Sequence, residues 1–238
     1  MSQHNSLGIK VFADGADLEG ILGLAENPQI AGFTTNPTLM QKAGIEDYEG
    51  FARKVLDHIT DRPISFEVFS DDFDEMRRQA LLIGDWGANV YVKIPVTNTK
   101  GESSAQLVRE LSADGLRLNV TALLSLRQVS SVVDALESTR GAIVSVFAGR
   151  VADTGRDPVP LMSAALEFTR LHPEIELLWA SPREVLNICQ AATIGCDIIT
   201  VTHDLLAKLS GLGRDLEDVS LDTVKMFHSD ATKAGFLL

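Results

Sequence analysis

NVYVKIP at 89–95 is a run of β-branched and aromatic residues without the apolar–polar alternation of a strand that has one wet face. A strand of this kind is buried on both sides, as strands are in an all-parallel sheet covered by helices. Seven further runs share the pattern: IKVFA at 9–13, IAGFT at 30–34, ISFEVF at 64–69, RLNVTA at 117–122, AIVSVF at 142–147, ELLWA at 176–180 and DIITVT at 197–202. Segments of helical period separate them and open on capping residues: Asp17-Leu-Glu-Gly, Asp71-Asp-Phe-Asp-Glu, Ser103-Ser-Ala-Gln, Ser125-Leu-Arg-Gln and Ser181-Pro-Arg-Glu. Parallel neighbours need crossover connections, and eight strand–helix units in 238 residues predict an α/β chain closed as a (β/α)8 TIM barrel. A doubly wound open sheet is the rival. Against it, the turn after the first run reads Ala13-Asp-Gly-Ala-Asp-Leu, without a G-x-G-x-x-G fingerprint, and no linker-like stretch divides the chain. The expectation is one barrel domain over 1–238 with an additional C-terminal helix. VKMFHSDATKAGFLL at 224–238, within that helical tail, matches no motif.

Composition narrows the functional classes. With 45% hydrophobic and 23% charged residues, 18 Gly and 8 Pro, the chain is neither disordered nor collagen-like. Its 21 Lys and Arg against 33 Asp and Glu leave a net charge of −12, which opposes attraction to nucleic acid or to an anionic membrane surface. MSQHNSLGIKVF at the start lacks the apolar core of a signal peptide, and no apolar window reaches membrane-spanning length, so a cytoplasmic protein is expected. Cys189 and Cys196 lack CxxC spacing and read as reduced core thiols. His4, His58, His172, His203 and His228 show no metal-ligand spacing, so no metal centre is expected.

The C-terminal ends of barrel strands open onto the active site, so polar residues there are the candidates. They are Asp14, Thr34, Thr35, Asn36, Glu67, Lys93, Asn119, Thr121, Ser145, Arg150, Ser181 and Arg183. Lys93 stands out because an ammonium inside an apolar strand is costly to bury. Burial disfavours the ammonium relative to the neutral amine, and a neutral amine attacks carbonyls to form a Schiff base. A lysine ion-paired to Asp14 or Glu67 fits the same pattern equally well. Asp14 and Glu67 are suited to moving protons, although Asp14 also reads as a helix cap. Arg150, with the Ser181-Pro182-Arg183 helix start, has the makings of an oxyanion site, guanidinium forks beside a helix N-terminus.

Five blocks, GFTTNPT at 32–38, VKIPVT at 92–97, LNVTALLS at 118–125, SVFAGRV at 145–151 and ASPREV at 180–185, resemble in order and spacing those of the transaldolases and the related fructose-6-phosphate aldolases. The resemblance implies a cofactor-free class I enzyme in which Lys93 forms an imine and Asp14 moves the proton during carbon–carbon cleavage. It implies that Glu67 and Thr121 hold the catalytic water, that Thr34, Asn36, Asn119 and Ser145 bind the dihydroxyacetone unit, and that Arg150, Ser181 and Arg183 bind the terminal phosphate. The aldolase branch carries Gln and Tyr where this chain has Glu67 and Phe147, so the resemblance points to transfer to an aldose phosphate. The implied partners are sugar phosphates or other anionic sugars, such as sulfosugars, and further copies of the chain in a homo-oligomer. A lyase that releases free dihydroxyacetone and a non-enzymatic sugar-phosphate binder remain the alternatives.

Overall fold

A computed structural model describes residues 8–136 and 139–236. His4 and most of the N-terminal stretch at 1–12 lie outside the described residues, as do the last two positions of the tail. Eight parallel strands close into a barrel in sequence order. They are β1 (Lys10–Asp14), β2 (Ile30–Thr34), β3 (Ile64–Glu67), β4 (Val90–Pro95), β5 (Leu118–Leu123), β6 (Ala142–Val146), β7 (Ile175–Trp179) and β8 (Ile198–Thr202). β8 returns to pair with β1 along its whole length, from Lys10 opposite Ile198 to Asp14 opposite Thr202. Each expected run becomes a strand, displaced by two residues at most.

Apolar side chains facing the helices and those facing the barrel axis form two separate clusters, which is why the runs carry no polar alternation. On the axis, Phe12, Ile143, Leu178 and Ile198 fill the lower half of the barrel. Gly32 on β2 admits Phe12, since a Cβ there would sit 2.6 Å from the ring. Above this plug the inward positions turn polar, and this boundary sets the floor of the site.

Most expected helix starts hold. Asp17, Asp72 and Ser125 cap the helices Leu18–Ala25, Phe73–Gly84 and Leu126–Ala135 by accepting the N–H of Gly20, Glu75 and Gln128. Two starts differ. The helix Ala105–Ala113 follows Ser104, which makes no side-chain cap, while the Ser103 hydroxyl accepts the Ala105 N–H. Ser181 opens no helix at all; the helix begins at Val185, and Glu184 and Asn187 form its capping box. The reason is backbone geometry. Ser181 has φ +57°, outside the helical basin, and its carbonyl lies so close to Gly149 that a Cβ there would overlap it at 1.5 Å. Pro182 and Arg183 therefore lie in a connecting loop.

The last helix, Leu216–Ala234, is capped by Asp215 and ended by left-handed Gly235. It has no buried residue, and Leu216, Leu221, Val224 and Phe227 are exposed. Among the described residues, no helix is long and apolar enough to cross a membrane.

Candidate active site

A cavity of about 350 Å³ opens at the C-terminal ends of the strands. Every candidate side chain except Thr35 and Arg183 lines it, together with Phe147. Sheet register assembles its centre: Glu67 lies opposite Lys93 across β3 and β4, and Lys93 opposite Asn119 across β4 and β5.

Lys93 is 6% exposed. Its Nζ lies 3.2 Å from Glu67 Oε2 and donates to the Thr35 carbonyl at 2.8 Å. The ammonium is thus paired, and it is also presented to an open cavity. Ion pairing and reactive placement, alternatives in the sequence, coexist here. Asp14 caps no helix, since Asp17 does that work; it accepts the Thr34 hydroxyl at 2.8 Å. Burial pushes the Asp14 carboxyl above the usual carboxylate range, against the opposing pull of Lys93 and of hydrogen bonds from Thr34 and Asn36. Asn36 does double duty, because its Oδ1 caps the helix Pro37–Lys42 through the Leu39 N–H at 3.0 Å.

Opposite this charged group runs a neutral relay. Ser145 donates to Asn119 Oδ1 at 2.6 Å, and Asn119 Nδ2 donates to the Ser65 hydroxyl at 3.0 Å. The Thr121 hydroxyl is buried without a hydrogen-bond partner among the described residues. The next residue, Ala122, has φ +65°, and the β5–β6 register shifts between Val120 and Leu123. Such strain on a non-glycine residue costs of order 1–2 kcal/mol and is concentrated at functional sites.

The anion end differs from the expectation. Arg150 lies on the short helix Ala148–Ala152 and lines the cavity, with its guanidinium 5.6 Å from the centre of the Phe147 ring. Ser181 joins it. Arg183 stands outside, bridged to Asp153 with its Nε donating at 3.1 Å and half its side chain exposed. One guanidinium therefore faces the cavity, and the helix N-terminus that was to supplement it starts too late in the chain.

Sequence reasoning missed Thr200 and Ser65. Thr200 on β8 shares a hydrogen bond of 2.5 Å with Thr34. The period of two from inward-facing Ile198 reaches Thr200, so a signal for it existed. Tyr48 was missed as well; its hydroxyl donates to the Glu67 carbonyl and accepts the Glu67 N–H, both at 2.8 Å. Nothing in its local sequence marks it.

The profile of the family described as Transaldolase/Fructose-6-phosphate aldolase matches residues 11–238. A "Probable transaldolase" of Dehalococcoides mccartyi is 32% identical over 218 residues, covering 88% of this chain and 97% of its own. A "Probable transaldolase" of Methanococcus maripaludis is 34% identical over 202 residues, covering 84% of this chain and 89% of its own. Among solved structures, a dihydrodipicolinate synthase from Rhodopseudomonas palustris aligns with a TM-score of 0.55 at 16% identity, over 90% of this chain and 79% of that one. That last likeness is one of fold alone.

Proposed function

Because the chain belongs to the Transaldolase/Fructose-6-phosphate aldolase family, we propose that it is a Schiff-base transaldolase, moving a dihydroxyacetone unit from a ketose phosphate to an aldose phosphate. One observation carries the reading: a nearly buried lysine, held by Glu67 and the Thr35 carbonyl, faces a cavity that also holds a carboxyl displaced toward its protonated form.

Neutral Lys93 attacks the C2 carbonyl, and the carbinolamine loses water to give a protonated imine. Asp14 takes the proton of the C4 hydroxyl as the C3–C4 bond breaks, and the released electron pair is stored as an enamine on Lys93. The first aldehyde leaves. The enamine C3 then attacks the acceptor aldehyde, Asp14 returns its proton to the new alkoxide, and water hydrolyses the imine to restore the amine. The unpartnered Thr121 hydroxyl and the Glu67 carboxylate are placed to hold the water consumed and released in these steps. Asn119, Ser145, Thr34 and Asn36 offer the hydroxyl partners for the three-carbon unit, while Arg150 and Ser181 take the terminal anion. Phe147 supports transfer over release, because a phenyl ring offers no proton to the enamine.

We also propose that the protein is a single-domain cytoplasmic homo-oligomer. The apolar residues on the unburied helix Leu216–Ala234 and the unpaired thiols of Cys189 and Cys196 support that reading.

The test is borohydride reduction in the presence of fructose 6-phosphate, followed by intact mass and peptide mapping. A dihydroxyacetone adduct on Lys93, absent from Lys93→Met, is expected, with turnover that depends on an aldose phosphate acceptor. Turnover retained in Lys93→Met refutes the mechanism, and acceptor-independent release of dihydroxyacetone makes the protein a lyase.

A further inference from the structure

The rung missing between β2 and β3 bears directly on Lys93. Phe33 donates to the Pro63 carbonyl at 2.8 Å, and Thr35 to the Ser65 carbonyl at 3.2 Å. The parallel ladder continues, by its alternation, with the Glu67 N–H donating to the Thr35 carbonyl. That rung is not made. The Thr35 carbonyl accepts Lys93 Nζ instead, and both backbone groups of Glu67 are taken by the Tyr48 hydroxyl.

We infer that Tyr48 is a positioning residue whose phenol replaces the absent β2–β3 rung, holding Glu67 at the end of β3 and leaving the Thr35 carbonyl free to hold Lys93. A buried peptide N–H must find an acceptor. Without the phenol, the nearest acceptor along the ladder is the carbonyl that holds Lys93, so the two donors would compete for the best geometry at one oxygen, whose two lone pairs they would share. Tyr48 resolves that competition because a hydroxyl both donates and accepts. Its donor proton is secure, since burial pushes the phenol further above its ordinary range. The ring itself is fixed by edge contacts with Phe66 and Phe69, whose centroids lie 6.4 Å and 5.6 Å away.

This inference rests on Lys93 being the imine-forming residue. Its test is Tyr48→Phe, which keeps the ring and removes the oxygen. Adduct formation on Lys93 is followed by borohydride trapping across fructose 6-phosphate concentrations. The saturating rate is expected to fall about 10-fold, the equivalent of one net hydrogen bond of about 1.4 kcal/mol, with the half-saturating concentration changed less than about twofold. Phe69→Leu disturbs the same aromatic contacts but keeps the phenol, and its saturating rate should match wild type. A wild type that traps no adduct on Lys93 overturns both readings, whereas a folded Tyr48→Phe that traps as fast as wild type overturns this one alone.

A second measurement needs no variant at position 48. The chain has only 2 tyrosines, so biosynthetic 3-fluorotyrosine reports on Tyr48 and Tyr91 alone. The Tyr48 fluorine resonance is expected to move when the dihydroxyacetone imine on Lys93 is reduced by borohydride to the secondary amine. A Tyr48 resonance that stays still overturns the coupling.

Discussion

Replacing Lys93 by Met removes a charge while nearly preserving volume, so it isolates the electrostatics of the site. Glu67 pairs with Lys93 at 3.2 Å, and their side chains are only 16% and 8% exposed. Deleting one partner of a buried pair costs about 3–5 kcal/mol, because the other charge is left desolvated without compensation. Glu67 keeps some solvent contact, which places the cost near the low end, at about 3 kcal/mol. For a chain of this size, about 2–4 °C of melting temperature per kcal/mol gives a fall of roughly 6–12 °C. The assay is urea unfolding together with thermal melts, both at pH 7. Adding Glu67→Gln to Lys93→Met should recover most of the lost stability. A Lys93→Met protein as stable as the double variant at pH 7 would show that the two groups are not paired in solution, and the reasoning would fail.

Two further outcomes follow from the charge distribution. Asp14→Asn should lower turnover by about 10²–10⁴, the range expected for a group that moves a proton in the transition state. It should also stabilise the fold at neutral pH: a carboxyl whose native pKa is raised is most favourable when protonated, so wild type loses stability as pH rises above the unfolded value of about 3.9. The stability gain should vanish below about pH 4, and thermal melts against pH check the sign. Arg150→Ala should raise KM for a ketose phosphate far more than Arg183→Ala, because Arg183 is tied to Asp153 outside the cavity. Loss of that exposed pair should change stability by no more than about 1 kcal/mol in urea unfolding.

The barrel was legible because two-sided burial writes itself into short runs of β-branched residues; Lys93 stands inside one run and Asp14 directly after another, at positions that the closed register carries into the cavity. What escaped depends on contacts between distant segments. Ser181-Pro-Arg-Glu has the composition of a helix start, yet close packing on Gly149 holds Ser181 in a left-handed conformation and delays the helix to Val185. Arg183 reads as a second anion ligand until folding brings Asp153 beside it. ISFEVF predicts a strand to residue 69, but β3 ends at Glu67, where the Tyr48 hydroxyl replaces the neighbouring strand. No local pattern announces any of these.

The plug of Phe12, Ile143, Leu178 and Ile198 beneath the polar layer closes the cavity from below. In the proposed transfer reaction, both aldehydes would then pass over the C-terminal ends of the strands, away from the plug. In that proposed transfer, the acceptor would enter after the leaving sugar has gone, and the cycle would alternate between two enzyme forms. The packing of four apolar side chains on the barrel axis thereby decides which end of the barrel can receive a sugar.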